Sequence, residues 1–277
     1  MKAMTQTLTL IGFGEAGSTF ARAAGWEGDA RAFDIRPVDF DAAAVRGCAS
    51  LADALAGTPS VISVVTADNA LSVAQDVAAL IAPGTFFFDM NSVAPGTKRA
   101  AAAAIGAAGA VYIDVAVMAP VNPARLATPL LLAGPDAAAG KDALAALGFT
   151  NLRIVGDYVG RASTIKMLRS VMYKGVEALT AECLIACERA GVTDEVLGSF
   201  GKDWATGADY RLDRMLAHGL RRAAEMHEAS QTLSSLGVSP MLTEGTVGWQ
   251  RAIGELAISP VPGGLQAKLS AIVERIP

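Results

Sequence analysis

The chain has 277 residues, 52% of them hydrophobic and 18% charged, with a formal net charge of −4. That length holds one large or two medium domains with real cores, and no basic run is long enough to follow a nucleic-acid backbone. Glycines break the most apolar stretch, residues 100–113, which is too short to span a bilayer, and a glycine loop interrupts the first apolar run before it could serve as a signal peptide.

The first predicted strand, residues 8–12, runs into Gly12-Phe13-Gly14-Glu15-Ala16-Gly17, and a helix-compatible segment follows. G-x-G-x-x-G between a strand and a helix suits a dinucleotide pyrophosphate. Gly12 permits the tight turn, Gly14 lets backbone N–H groups approach the phosphates, and Gly17 lets the helix pack on the strand. The helix amino end adds N–H groups and a positive dipole end. The second predicted strand, residues 30–34, ends on Asp34. That acid falls about 20 residues on, where the 2′-hydroxyl of an adenosine ribose would be met. Its carboxylate favours NAD, while Arg36, a residue type that takes up a 2′-phosphate, keeps NADP open. The plainer alternative is an ordinary βαβ unit with glycines at its turn.

Further strands are predicted at residues 61–65, 86–90, 112–117, 130–133 and 151–155, with helical stretches at 50–56, 70–80, 96–108 and 136–147. Short apolar runs alternating with helical crossovers imply a doubly wound, mainly parallel sheet of Rossmann type, covered on both faces. After Gly160 the strand signals stop. Residues 162–190 read as one long helix, with Ile165, Leu168, Val171, Met172, Leu179, Leu184 and Ile185 at helical spacing and Gly191 as its terminator. Helices at 193–204, 210–236 (with a break allowed), 241–258 and 264–276 complete an all-helical half. The expected organisation is a dinucleotide-binding domain over residues 1–158 and an all-α substrate and dimerisation domain over 159–277.

In such sheets the chemistry comes from polar residues at the carboxyl ends of the strands. Thr66 and Ala67 follow the third predicted strand, and Asn91 and Ser92 follow the fourth. Asp114 to Met118 carries the fifth into a turn. Lys166 lies about one turn inside the long helix, with Ser170 and Tyr173 above it on the same face. A lysine on an otherwise apolar, Met-rich face is costly unless it is solvated or functional. A snorkelling surface lysine is the alternative.

The order GFGEAG, Asp34, Asn91-Ser92-x-x-Pro95, Asp114-x-x-Val117-Met-Ala and Gly160-x5-Lys166 resembles the β-hydroxyacid dehydrogenase superfamily. It is most similar to the branch pairing a 6-phosphogluconate-dehydrogenase-like nucleotide domain with a helical C-terminal domain of unassigned function. The resemblance implies an NAD(P)-dependent dehydrogenase whose Lys166 is the general acid/base, facing nicotinamide C4 across a crevice between the two lobes. It puts Asn91 and Ser92 near the nicotinamide, and Thr66 and Ala67 beside the ribose and pyrophosphate. Gly12, Phe13, Gly14, Glu15, Ala16, Gly17, Asp34 and Arg36 complete the expected cofactor contacts. Ser92, Met118, Ala119 and Ser170 are the expected substrate contacts, and no metal is expected. The resemblance also implies a small-molecule substrate and a homodimer. Imine reduction on the same architecture is one alternative, disfavoured by retention of Lys166. A catalytically silent nucleotide-binding dimer is the other.

This chain departs from the family at two points. Met118-Ala119-Pro120 stands where the family has Ser-Gly-Gly, which removes a hydroxyl and, at Pro120, an N–H. Ser170 stands where the family has asparagine. A bulkier or less charged substrate than a short hydroxy acid is the resulting expectation. In the helical half, Arg211, Arg214, His218, Arg221 and Arg222 form either an anion site or, more simply, a solvated face paired with Asp209, Asp213 and Glu225. Lys174 is expected on the exposed side of its helix, and Trp204 and Tyr210 in the core beside a loop at Gly207. Cys48, Cys183 and Cys187 read as buried hydrophobes of a reducing cytoplasm.

Overall fold

The computed structural model describes residues 8–26, 30–43, 45–201 and 203–276. The chain divides into two compact units, Met1–Lys166 and Met167–Pro277. The first contains β1 (Leu8–Ile11), α1 (Glu15–Ala24), β2 (Ala30–Phe33), β3 (Arg46–Gly47), α2 (Leu51–Leu55), β4 (Ser60–Ser63), α3 (Ala70–Ala78), β5 (Phe86–Asp89), α4 (Pro95–Ala107), β6 (Val111–Val117), β7 (Leu130–Ala133), α5 (Ala137–Ala146) and β8 (Leu152–Gly156). A long helix, α6 (Arg161–Ala190), starts in this unit and continues into the second, which adds α7 (Thr193–Phe200), α8 (Trp204–Ser235), α9 (Met241–Glu255) and α10 (Leu265–Val273).

The eight strands lie in the order β3-β2-β1-β4-β5-β6-β7-β8. All neighbours are parallel except β6 and β7, which are antiparallel. Every residue of β1, β4 and β7 is buried, as expected where helices cover both faces of a sheet. Alternation sorts the side chains into two cores. Leu10, Ile62, Phe88 and Ile113 pack on one face with Phe20 of α1. Ile11, Val61, Phe87 and Tyr112 pack on the other with Val77 of α3 and Ile105 of α4. Burial of each large side chain contributes roughly 1.5–3 kcal/mol.

Local chemistry sets the helix ends. Gly25 takes a left-handed φ of 62° and stops α1. The Ser50 hydroxyl accepts the Asp53 N–H and starts α2, and Pro95 occupies the first turn of α4, where its missing N–H costs nothing. Residues 46–47, which carried no strand signal, form β3 at the sheet edge; a two-residue exposed strand has no apolar pattern to read.

The second unit is built from helices. Ala181, Leu184 and Ile185 of α6 pack with Leu212, Met215 and Leu216 of α8, Ile253 of α9, and Leu269 and Ile272 of α10. α8 runs unbroken from Trp204 through Gly207 and Gly219, so the expected loop at Gly207 is helix. Gly219 has a packing reason to be there. A Cβ on it would collide with the Gln250 carbonyl and stand 2.7 Å from Gly254 Cα, so α8 and α9 touch backbone to backbone. Replacing Gly219 by alanine is expected to cost about 2 kcal/mol through overpacking. Gly248→Ala, where α9 faces open space, should instead gain about 0.5–1 kcal/mol from helix propensity. Urea denaturation of the two variants reads both signs.

Candidate functional site

The sheet order reverses between β1 and β4, and the residues after the carboxyl ends of β1, β2, β4, β5 and β6 share one edge. This is where open α/β sheets bind ligands. A depression lined by Pro59, Ser60, Gly84, Phe86 and Asp142 lies at the opposite edge, among the amino ends of β4 and β5, away from the glycine loop.

The three glycines play distinct parts. Gly12 has φ +91°, and a Cβ there would stand 2.7 Å from the Val64 carbonyl oxygen. A Cβ on Gly17 would collide with the Gly12 carbonyl. Gly14 has an ordinary φ of −74°, and a Cβ on it would meet only the Arg36 guanidinium, at 3.5 Å. Packing therefore requires Gly12 and Gly17 but not Gly14. A glycine there fits close approach of a pyrophosphate to the backbone, and no side chain caps the amino end of α1 just beyond it. Glu15 is exposed and Ala16 half-buried on that first turn.

Asp34 closes the loop. Its Oδ2 accepts the Phe13 N–H at 2.8 Å, and its Oδ1 accepts the Arg36 N–H at 2.9 Å. The Arg36 Nε lies 3.4 Å away on a largely exposed side chain. Burial disfavours the carboxylate, but these N–H donors and the guanidinium outweigh it and hold Asp34 below its ordinary pKa. Thr66 is exposed and accepts from the Asn69 amide at 2.8 Å, with Ala67 beginning the turn beyond it.

Asn91 is a buried strut between strands. Its Oδ1 accepts the Val65 N–H at 2.7 Å, its Nδ2 donates to Ser63 Oγ at 3.0 Å, and its own N–H donates to Asp89 Oδ1 at 3.0 Å. The next residue, Ser92, accepts from Lys166 Nζ at 2.5 Å. Lys166 and Ser92, expected near one another, are thus brought together within the first unit. Ser170 follows one turn on along α6 and is buried.

Beneath this pair lies a cluster that sequence reasoning missed. Lys98 of α4 is fully buried. Its ammonium donates to the Asp89 carbonyl at 2.5 Å, to Asp89 Oδ1 at 2.9 Å and to the Val115 carbonyl at 3.4 Å, and Asp114 Oδ1 lies 3.5 Å away. Tyr112 donates to Asp89 Oδ2 at 2.6 Å; burial first, then the charge of Asp89, pushes its phenol well above the ordinary tyrosine pKa, so it stays neutral. Asp114 Oδ2 accepts the Gly160 and Ser163 N–H groups at 3.0 and 3.2 Å and so caps α6. The missed signal was positional: Lys98, Ala101 and Ile105 share the buried face of α4, in line with its buried N-cap Ala94.

Met118 and Ala119 are half-buried beyond β6. The Met118 N–H donates to the Pro129 carbonyl at 2.9 Å, and its side chain packs with Ala116, Leu131, Ala162 and Ile165. In the second unit several expectations are overturned. Lys174 is buried, because Glu225 takes its ammonium at 2.5 Å. Arg222 pairs with buried Glu177, which also accepts from Gln250 Nε2 at 2.8 Å. Asp209 and Asp213 pair with Lys268 of α10 rather than with the basic face. Tyr210 is exposed, as is Trp204, which instead of entering the core carries the Arg211 guanidinium 4.8 Å from its ring centre.

The fold and the glycine edge define a dinucleotide-binding protein. The chain belongs to the family built on the NAD-binding domain of 6-phosphogluconate dehydrogenase, which matches residues 7–156; residues 187–253 match a domain of unknown function. A conserved hypothetical protein from Sinorhizobium meliloti is 35% identical, with 99% of this chain and 98% of that one covered and a TM-score of 0.72. A conserved protein of unknown function, MTH1747, described as structurally similar to 3-hydroxyacid dehydrogenases, is 28% identical over 90% of this chain and 97% of its own, with a TM-score of 0.66. The 3-hydroxyisobutyrate dehydrogenase of Mycobacterium tuberculosis shares the fold at 19% identity, covering 98% of this chain and 99% of that one, with a TM-score of 0.68. No helix among the described residues is long and apolar enough to cross a membrane.

The glycines give a direct check. Gly17→Ala should lower the melting temperature, since its Cβ has nowhere to go. Gly14→Ala should melt like the wild type yet bind NADH about tenfold or more weakly by fluorescence titration, one tenfold step being about 1.4 kcal/mol.

Proposed function

We propose that this protein is an NAD(P)-dependent oxidoreductase of β-hydroxyacid dehydrogenase type, with Lys166 as the proton-exchanging group. The observation that carries the reading is the 2.5 Å contact between Lys166 Nζ and Ser92 Oγ at the edge holding the glycine loop. A bound nicotinamide would supply or accept the hydride. In oxidation, neutral Lys166 takes the substrate hydroxyl proton and becomes ammonium; in reduction, the ammonium returns a proton to the developing alkoxide. Ser92 Oγ orients the amine by accepting one of its hydrogens. Gly12, Gly14, Gly17 and the start of α1 would hold the pyrophosphate.

Asp34 and Arg36 would meet the adenosine ribose. Because Asp34 already accepts two backbone N–H groups and Arg36 stands exposed beside it, the rim suits a 2′-phosphate as well as a free diol. The substrate is expected to be less charged than a short hydroxy acid. The Met118 N–H is already used and its side chain is apolar, so this turn offers little to a carboxylate. The three free thiols fit a cytoplasmic setting. Leu168, Met172 and Leu179 form an exposed apolar stripe on α6 that suits a homodimer.

Two experiments test this reading. With hydroxy acids, polyols, aryl alcohols and cyclic imines as the panel, Lys166→Ala should lower kcat/KM by about 10²–10⁴, the range for removing a general acid/base, with NADH affinity kept. Equal turnover by the variant rejects the lysine, and reduction of imines alone transfers the site to the imine class. Light scattering should give twice the mass of one chain at micromolar concentration, and a monomer there rejects the dimer.

A further inference from the structure

We propose that Lys98 is a positioning residue that fixes the contact between Lys166 and Ser92; this rests on the reading of Lys166 as the proton-exchanging group. The argument starts from connectivity. Lys98 donates to the Asp89 carboxylate and forms a looser ion pair with Asp114, whose Oδ1 accepts no hydrogen bond, and each carboxylate is bonded to one side of that contact. Asp89 receives the ammonium of Lys98 at 2.9 Å and holds the Asn91 N–H at 3.0 Å, one residue before Ser92. Asp114 lies 3.5 Å from the same ammonium and holds the Gly160 and Ser163 N–H groups, at the start of the helix that carries Lys166.

The path from Ser92 to Lys166 through the fold thus runs by way of Asn91, Asp89, Lys98, Asp114 and the first turn of α6. Its middle members, Asp89, Lys98 and Asp114, are almost wholly shielded from water. Water does not substitute for a lost partner at such depth, so removing one member displaces its neighbours instead. The charged and titratable groups facing the cluster are Asp89, Asp114 and Tyr112 from the sheet and Lys98 from α4. Arg99 lies against Gly160, a Cβ on which would stand 3.0 Å from the guanidinium. The charges of Lys98, Asp89 and Asp114 also act on Lys166 at a distance, so the contact is read from how Ser92→Ala behaves with and without Lys98.

The consequence is measurable on Lys166 without a substrate. Ser92 Oγ accepts a hydrogen bond from the ammonium form and favours it; losing that acceptor lowers the pKa of the amine. Competitive labelling with trace acetic anhydride, followed by peptide mass spectrometry, titrates Lys166 in the whole chain, with exposed Lys141 of α5 as internal reference. In Ser92→Ala, Lys166 is expected to acylate severalfold faster at pH 8, with Lys141 unchanged. In the Lys98→Met background, adding Ser92→Ala should change the Lys166 rate by less than about twofold, because the contact is already lost there.

No effect of Ser92→Ala in the wild type, the same effect of Ser92→Ala with and without Lys98, or a change shared by Lys141 overturns the proposal. If circular dichroism shows that Lys98→Met does not fold, Asp114→Asn, which keeps the shape of the cap, decides by the same criteria. Failure of the general acid/base reading would appear separately, as Lys166→Ala turning over like the wild type.

Discussion

The carboxyl edge of the sheet is organised around an ammonium group that has no access to water. Burying an unpaired charge costs several kcal/mol, and removing one partner of a buried pair typically costs about 3–5 kcal/mol. Lys98 avoids that cost only because Asp89, Asp114 and two backbone carbonyls converge on it. The convergence requires β5, β6 and α4 to keep their relative heights. It also requires Asp114 to have an oxygen left over for the start of α6, which it does. The site residues above inherit their positions from this arrangement.

The glycine loop shows a second economy of groups. Asp34, whose carboxylate would be expected to face a ribose, is engaged first by the loop itself, through Phe13 and Arg36. Its charge therefore shapes the turn before any ligand arrives. In the proposed reading, Arg36, whose side chain is exposed, is the group left to meet the ribose or its 2′-phosphate. The same division appears beyond β6, where the Met118 amide serves the antiparallel pairing and is lost to recognition.

Much of this was legible in the sequence. The alternation of apolar runs and helical stretches is a strong local signal, and the sheet, its crossovers and the helical second half follow from it. The glycine spacing and Asp34 were visible because they lie close together in the chain, whereas the roles given to Asn91, Ser92 and Lys166 came from the resemblance. Long-range pairing was not visible. Lys174 carries a charge, and solvent is the default place for one; its partner Glu225 lies two helices away in sequence. Lys98 was passed over for the same reason, although its position among Ala94, Ala101 and Ile105 marked a buried face. An unbroken α8 was hard to foresee because Gly207 and Gly219 are poor helix formers. The close crossing that occupies Gly219 is a tertiary fact.

That crossing also constrains how the second unit can vary. Where two helices meet through bare backbone, neither can slide or rotate without first lifting away from the other. The Glu177–Arg222–Gln250 layer nearby adds directional bonds that only one alignment satisfies. Diversification of this half is thereby steered to its connecting segments, residues 236–240 and 256–264, which can change length or chemistry while the crossing stays intact.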